Sequence, residues 1–418
     1  MTDSLVFTLI LIAPLLGMSF GLLGAPATLQ FCGTAAACGL ELAASICMLF
    51  LAYTKEKLFF AGDILFVDML SAYNLAIVAF VFFMSSLYAI TYYGENKNST
   101  HGLKSVRKYT ILWNLFLFTI NLVLVSNNMG VLWVALEATT LASAFLILTH
   151  GVPASIEAMW KYLLICSVGI AFGLIGILLL SAASGHVPGA EPTLLWTKLV
   201  NIAPGLDGKV MLAAFVFVLV GFGTKAGLAP MHTWLPDAHS QAPTPVSAVF
   251  SAVMLNCALY CVFRFLTLTE LSLGGTNQPR SLLLFFGLLS VGVSMVFIPS
   301  QRDMKRFLAY SSIEHIGLIS VGVALGGAGT IAALLHSANH SVAKMMAFFS
   351  AGKITLKYDT RDMTVIHGSL RTTKLWGFGF FLATLTLLGV APFSIFISEF
   401  QIFAASFVSN RFAVLALL

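Results

Sequence analysis

The chain has 418 residues, of which 59% are hydrophobic and only 9% are charged, and its mean hydropathy is +0.94. A water-soluble core of this size does not require so apolar a composition, so the sequence indicates a polytopic membrane protein. The net charge of +5 is not concentrated in a basic groove with interleaved aromatic residues, which argues against a nucleic-acid-binding protein.

Hydropathy predicts an all-α fold with about twelve membrane-spanning segments of about 20 residues each. The predicted segments are 7–24, 34–53, 68–93, 108–126, 129–148, 158–183, 209–241, 244–268, 281–299, 305–324, 328–356 and 374–417. The seventh and the twelfth are interrupted by glycine and proline, one in each half of the chain. This pairing is typical of a repeat transporter whose ion site lies at the breaks.

The segments fall into three predicted groups. Residues 1–107 form a three-helix cover followed by a cytoplasmic loop, 108–268 form a group of five spans, and 281–418 form a second, incomplete group. The chain ends inside apolar sequence, so we expect at least one further span beyond Leu418.

Basic residues predict the orientation of the chain in the membrane. They cluster in three loops on one side: Lys97, Lys104, Arg107 and Lys108; Arg302, Lys305 and Arg306; and Lys357, Arg361, Arg371 and Lys374. The positive-inside rule makes that side cytoplasmic and puts the N terminus outside a cell inner (plasma) membrane. The first apolar segment lacks the basic flank and cleavage site of a signal peptide, so it is predicted to be a retained span.

The sequence carries no iron–sulfur, haem, P-loop or dinucleotide-binding motif, so we expect no cofactor on this chain. Its six cysteines lie apart in apolar segments without a CxxC pair, a pattern typical of small buried hydrophobic residues.

Two acidic residues lie within the predicted spans of the first group. Glu41, in the second span, is either a buried protonated carboxyl or a contact to a partner subunit. Asp68 is predicted to cap the third helix.

The interrupted seventh span, GFGTKAGLAPMHTWLPDAHSQAPTP over residues 221–245, places Lys225 in apolar sequence. A charge at the centre of a spanning helix costs roughly 2.5 to 3.5 kcal/mol, so this lysine needs an acidic partner, a water-filled cavity or a neutral state. Pro230 breaks the helix, and such a break persists where protein or a polar cavity satisfies the freed backbone groups. Asp237 and His239 follow the break and either cap the next helix or line a cytoplasmic inlet.

Glu137 lies in the middle of the fifth span, in GVLWVALEATTLASAFLIL. It is either a neutral acid bonded to a neighbouring helix or the partner that couples to Lys225 and controls proton movement through a shared pKa. Lys161, at the start of the sixth span, either extends to the interface beside Glu157 or belongs to the same pathway.

The eleventh span carries His336, His340 and Lys344 at intervals of four residues. Each interval advances about 400° around a helix, so the three side chains form one stripe about 12 Å long. Histidine titrates near neutrality and can pass a proton between its two nitrogens, so the stripe predicts a proton pathway. No metal site is predicted, because no carboxylate or cysteine lies at ligand spacing on the same helix.

Two further polar positions extend this prediction. Glu314 and His315, in the tenth span, either form a side branch of the pathway or are a polar cluster at a helix end. Glu399 lies seven residues beyond Pro392, which interrupts the twelfth span.

These residues resemble a known family. GFGTKAGLAPMHTWLPDAHSQAPTPVSA is similar to the hallmark segment of the antiporter-like subunits of respiratory complex I, of multisubunit cation/proton antiporters and of membrane-bound nickel–iron hydrogenases. LWVALEATTLAS, KRFLAYSSIEHIG, the HxxxK of His340 and Lys344 with FFSAG, and APFSIFISEF reinforce the resemblance, which extends over roughly residues 65–405. It implies fourteen helices in two inverted five-helix repeats, broken helices seven and twelve, and a central polar axis that moves protons.

By position, the resemblance implies a proton-pathway role for five residues: Glu137, Lys225, His340, Lys344 and Glu399. One position departs from the respiratory subunits, which have a lysine eight residues before an arginine–phenylalanine pair. This chain has Asn256 there, which holds water but carries no proton charge. That departure, the Glu314–His315 pair and the additional His336 are similar to the F component of hydrogenase-4 and its formate hydrogenlyase relatives.

The sequence therefore predicts a proton-translocating, non-catalytic membrane subunit of a membrane-bound hydrogenase or formate hydrogenlyase. Its expected partners are other membrane-arm subunits and a peripheral arm with nickel–iron hydrogenase and iron–sulfur subunits. Three alternatives remain: an antiporter-like subunit of an NADH–quinone oxidoreductase, a Na⁺/H⁺ antiporter or bicarbonate-linked transporter module, and a membrane scaffold without transport.

Overall fold

The computed structural model describes residues 2–95, 103–189 and 191–409, and its helices follow the predicted segments. The helices are α1 Thr2–Leu22, α2 Ala27–Lys55, α3 Met69–Glu95, α4 Leu103–Val125, α5 Met129–Ile147, α6 Pro153–Ser184, α7 Trp196–Ile202, α8 Gly208–Ala226, α9 Leu235–Gln241, α10 Thr244–Val249, α11 Leu255–Ser272, α12 Gln278–Phe297, α13 Met304–Leu325, α14 Ala328–Tyr358, α15 Ser369–Thr372, α16 Lys374–Leu387 and α17 Ser394–Val408. A π-helical turn, Phe250–Met254, joins α10 to α11.

The prediction of an all-α membrane protein is confirmed, with a smaller number of spans. Ten helical segments in the described part of the chain are long and apolar enough to cross a membrane, and two shorter apolar helices, α16 and α17, follow them. Helix α14 is long enough but its histidine, serine and lysine side chains lower its hydropathy, so it is not among the ten. Residues 96–102 of the predicted loop, which include Lys97, and the last residues of the twelfth segment lie outside the described residues.

A small hairpin precedes α3, and hydropathy did not predict it. Strands β1 Lys57–Phe60 and β2 Leu65–Asp68 pair antiparallel, with Lys57 opposite Asp68. Asp68 caps α3 as predicted, because its carboxylate accepts a hydrogen bond from the Ser71 backbone N–H at 2.9 Å. It also receives two guanidinium N–H bonds from Arg264, each at 2.6 Å.

The chain divides into two compact units. The first contains residues 1–222 and 260–275, and the second contains residues 223–259 and 276–418, so the division falls within α8 and α11. These boundaries are not those of the three groups predicted from the sequence, and the inverted repeats stay a prediction.

In the first unit, α1 packs against α2 and α4, and α5 lies between α4 and α6. Glu41 is fully buried and accepts a hydrogen bond from the Asn121 amide at 2.7 Å, so it is a buried carboxyl and does not face outward to a partner. The prediction of buried cysteines is wrong for Cys32 and Cys47, which are exposed on the same helix, α2. An exposed cysteine is compatible with an apolar span because its neighbours on the outer face are also apolar.

In the second unit, α14 is the central helix, with α13, α16, α17 and α10 packed around it. Helices α12 and α13 approach each other backbone to backbone, since a side chain at Gly287 would meet the Gly317 carbonyl oxygen at 2.9 Å. This arrangement buries the polar stripe of α14 inside the unit.

Candidate functional site

The break after α8 is stabilised by polar contacts within the second unit. Gly227 has a φ of 80°, and the Leu228 N–H still bonds the Gly223 carbonyl at 2.9 Å. The Ala229 N–H donates to the Ser290 hydroxyl at 2.9 Å, and the Trp234 indole donates to the Thr224 carbonyl at the same distance. The protein thus satisfies backbone groups that the break releases, as an interruption at membrane depth requires.

Lys225 lies in the last turn of α8, and none of its surface is exposed. The ammonium therefore does not face lipid, and the C-terminal end of a helix is the end at which its dipole favours a cation. Glu137, its predicted partner, belongs to the first unit. There one carboxylate oxygen accepts a hydrogen bond from the Ser167 hydroxyl at 2.7 Å. The coupling of the two residues stays a prediction.

Asn256 links α11 to α14. Its amide donates to the Ser341 hydroxyl at 3.2 Å and to the Ala252 carbonyl at 2.9 Å. Ser341 in turn donates to the same Ala252 carbonyl at 2.6 Å. The structure therefore places Asn256 beside Ser341 of α14 within the second unit, and its role in a proton pathway stays a prediction.

Helices α13 and α14 bring three histidines together in the buried interior of this unit, and α17 adds Ser398 beside them. Nδ1 of His315 lies 3.0 Å from Nε2 of His336, and Nδ1 of His336 lies 3.0 Å from the Ser398 hydroxyl. The ring of His340 packs 5.0 Å from that of His315, centroid to centroid. All three histidines are at most 1% exposed. Of the two interpretations of His315, the branch of a polar chain agrees with these contacts, and the polar cluster at a helix end does not.

Glu399 lies where the second interruption folds back on α17. Gly389 follows α16 with a φ of 62°, and a Cβ built on it would lie 2.0 Å from Oε2 of Glu399. The carboxylate therefore occupies space that any larger residue at position 389 would fill. Glu314 and Glu399 line one cavity of about 350 Å³ together with Ser311 and apolar residues of α12, α13 and α16.

Lys344 completes the stripe at its C-terminal end. It is fully buried, and its ammonium donates to the Leu308 carbonyl on α13 at 2.8 Å. One further predicted residue lies on the surface, apart from this cluster. Lys161 is exposed and pairs with Glu157 at 2.7 Å, which agrees with the interpretation that it extends to the interface.

Asp237 and His239 do not cap the helix that follows the break, so that interpretation is wrong. Both lie inside α9, whereas the N-cap of α10 is Pro243 and has no side-chain cap. The Asp237 carboxylate forms an ion pair with Arg306 of α13. Nδ1 of His239 instead lies 2.8 Å from the carbonyl of Leu235, one turn earlier. Helix α9 begins soon after the break, so the residues that were expected to cap the next helix lie within α9 instead.

Sequence reasoning missed Ser398 and Lys305. Serine is common in spanning helices, so only its position next to Glu399 distinguishes Ser398. Lys305 was assigned to a basic loop, yet it is 4% exposed and its ammonium donates to the Ala242 carbonyl at 2.9 Å. The available signal was its place as the first residue of the predicted span 305–324.

Comparison with known proteins identifies the family. The profile described as NADH:quinone oxidoreductase/Mrp antiporter, TM matches residues 126–418. The hydrogenase-4 component F homolog of Methylacidiphilum infernorum (isolate V4) is 36% identical over 365 residues, which cover 87% of this chain and 76% of that protein. The chain belongs to the NADH:quinone oxidoreductase/Mrp antiporter family. The resemblance seen in its sequence motifs is thereby confirmed.

Other members of the NADH:quinone oxidoreductase/Mrp antiporter family extend the comparison. Hydrogenase-4 component B of Escherichia coli (strain K12) is 30% identical over 374 residues, and the match covers 86% of this chain but 53% of that longer protein. The structure of the Mrp complex from Dietzia sp. DQ12-45-1b contains a chain that superposes with a TM-score of 0.88 at 20% identity, over 100% of this chain and 77% of that one. At this identity the likeness shows an antiporter-like fold alone.

Proposed function

We propose that this chain is the proton-translocating membrane subunit of a respiratory-type redox complex of the membrane-bound hydrogenase or formate hydrogenlyase class. The observation that carries the proposal is the hydrogen-bonded series His315, His336 and Ser398 beside Glu399, buried among three helices. Burying several titratable groups inside a membrane protein costs free energy, so such groups commonly mark an ion pathway.

The geometry of His336 supports proton transfer because both of its ring nitrogens face a polar partner. Nε2 faces His315 and Nδ1 faces Ser398, so a proton that arrives at one nitrogen can leave from the other. Asn256 and Ser341 add a hydrogen-bonded pair between α11 and α14, and Glu399 adds a carboxylate that lines a cavity. In the proposed pathway, Glu137 biases Lys225, and the proton passes along α14, with His340 and Lys344, to Glu399.

The two hydrogenase-4 relatives support the class of complex. Electron transfer and its metal centres belong in this proposal to partner subunits, because the described part of this chain offers no cysteine pair or cofactor motif for them. The chain would then couple a reaction that occurs elsewhere in the complex to proton movement across the plasma membrane, with its N terminus outside.

Replacement of Lys225 by alanine tests the proposal. We expect K225A to reduce proton movement at least about tenfold, since a positioned proton-transfer group typically contributes two to four orders of magnitude. Electron transfer should fall less. Both rates are measured in sealed membrane vesicles that contain the assembled complex. The matched control is K209A, which removes an exposed lysine from the first turn of the same helix.

Full proton movement by K225A would overturn the proposed role of this lysine. A pH gradient that forms only when Na⁺ is present would instead identify a Na⁺/H⁺ antiporter.

A further inference from the structure

Three residues from three helices form a group with the donor set of a metal site. His315 of α13, His336 of α14 and Glu399 of α17 each offer one ligand atom, and these atoms all lie within 4.8 Å of one another. Within the described residues this is the one group of three histidine, cysteine, aspartate or glutamate side chains with such spacing. Two histidines and a glutamate are a familiar ligand set for Zn²⁺. The helix-by-helix prediction missed it because the carboxylate comes from a different helix.

The hydrogen bonds around His336 orient its lone pair into the group. The Ser398 hydroxyl donates to the Ile395 carbonyl at 2.9 Å, so its oxygen is free to accept the proton of His336 Nδ1. Nε2 of His336 then carries the lone pair, and it faces Nδ1 of His315. Metal-binding histidines commonly have their second nitrogen fixed by such a hydrogen bond.

The spacing of the two facing histidine nitrogens is close to that of two ligands on one ion. Two Zn–N bonds of about 2.0 to 2.1 Å at a tetrahedral angle separate the nitrogens by about 3.3 Å. The corresponding nitrogens of His315 and His336 are 3.0 Å apart. The proton on Nδ1 of His315 would move to Nε2 of the same ring. Both rings then stay neutral, and each of the two facing nitrogens has a lone pair for the ion.

Glu399, one of the three proposed ligands, also lines a cavity that offers an ion and water a way to the group. The cavity has a volume of about 350 Å³, and Glu314 adds a second carboxylate to its wall. A site with three protein ligands and an open fourth position is the arrangement in which zinc retains a water molecule.

We propose that His315, His336 and Glu399 bind a divalent transition-metal ion of the zinc class, with water from the cavity as the fourth ligand. A bound ion would occupy the lone pair of His336 through which the relay runs. Zn²⁺ should therefore inhibit proton movement, a consequence that rests on the proposed function.

Direct binding tests the site independently of transport. Radiolabelled Zn²⁺ is titrated against the assembled complex in detergent, with wild-type protein and with H315Q, H336Q and E399Q. We expect one saturable ion to depend on all three residues, and each substitution to weaken its binding at least about tenfold, because even the loss of a residue that only orients a ligand costs roughly 10- to 100-fold. The matched control is H239Q in α9, an equally buried histidine whose ring packs on Trp234, Phe250 and Phe348, which should leave the affinity within about twofold.

The result expected for S398A separates a built site from adventitious binding. Removal of this hydroxyl should weaken Zn²⁺ binding although Ser398 is not a ligand, because His336 loses the contact that fixes its tautomer. Binding that is unchanged in all three ligand variants, or lost equally in H239Q, overturns the metal site.

Proton movement measured with and without Zn²⁺ tests the second consequence. Zn²⁺ bound at the site without inhibition overturns the route through His336 and leaves the metal site standing. Inhibition of the wild-type complex at Zn²⁺ concentrations that leave the site empty overturns the metal site as the cause of inhibition and leaves the transport function.

Discussion

At the scale of single residues, the site depends on which positions leave room for polar groups. Gly389 is such a position, because the Glu399 carboxylate occupies the space where its side chain would be. Gly389 and Pro392 of the second break were recognisable in the sequence, whereas the contact of Gly389 with Glu399 depends on how α17 folds back. A local pattern predicts a break but not the side chain that fills it.

G389A tests this relation. A methyl group at position 389 would lie 2.0 Å from Oε2, so the carboxylate must move away, and the positive φ adds roughly 1 kcal/mol of backbone strain. We expect proton movement in vesicles to fall at least about tenfold while electron transfer is retained. The control is G292A in α12, where a Cβ would meet nothing within 4 Å. Wild-type proton movement in G389A would show that the position of Glu399 does not matter for transport.

At the scale of helices and strands, hydropathy predicted most of the spanning helices and both breaks. The stripe of His336, His340 and Lys344 followed from helical periodicity alone, since it lies on one helix. The contacts of His336 with His315 and Ser398 could not be predicted, because they depend on the rotation of three separately encoded helices. The hairpin KLFFAGDILFVD has short strands around a turn. It lies between two strongly apolar segments, so a reading by hydropathy did not detect it.

The hairpin is held to α11 by an ion pair whose strength depends on pH. Burial opposes ionisation of Asp68, but the hydrogen bonds and charge of Arg264, with the bonds from Ser71, outweigh it and hold the pKa of this carboxyl below its usual value. A lowered carboxyl pKa stabilises the folded state above the unfolded pKa of about 3.9, and that contribution is lost as the pH falls through the folded pKa. The guanidinium also stacks on Trp196, 4.4 Å from the ring centroid.

D68N should therefore destabilise the protein at neutral pH by about 3 kcal/mol, because it leaves the buried Arg264 without its anion. Thermal unfolding in detergent measures the effect. The difference between D68N and wild type should be constant from pH 5 to 8 and shrink below about pH 4. The control is D3N, which breaks a more exposed pair with Lys55 and should cost less than about 1 kcal/mol. An equal loss in both variants would contradict a special role for the buried pair.

At the scale of the whole molecule, the family assignment and the buried polar side chains both indicate a membrane subunit with titratable groups in its interior. The sequence motifs identified the family because they are long and specific, and the profile match over residues 126–418 confirmed it. The coupling of Glu137 to Lys225 through their pKa values was inferred from the sequence alone. Each residue is now placed within its own unit, so their coupling is the step that most needs measurement.

The predicted orientation of the chain is a property of the molecule in its membrane, and single cysteines test it. The positive-inside rule and the order of the spans put Asp63 and Glu191 outside and Arg302 and Arg371 on the cytoplasmic side. All four side chains are exposed, so a cysteine at each can react. After replacement of the exposed Cys32 and Cys47 by serine, a membrane-impermeant maleimide should label Asp63→Cys and Glu191→Cys in intact cells.

Arg302→Cys and Arg371→Cys should react only in inverted vesicles, because their basic surroundings are retained on the cytoplasmic side during insertion. Each variant is its own control when both preparations are labelled, since a site that reacts in neither is inaccessible rather than on the opposite side. The reverse pattern at all four positions would place the N terminus inside.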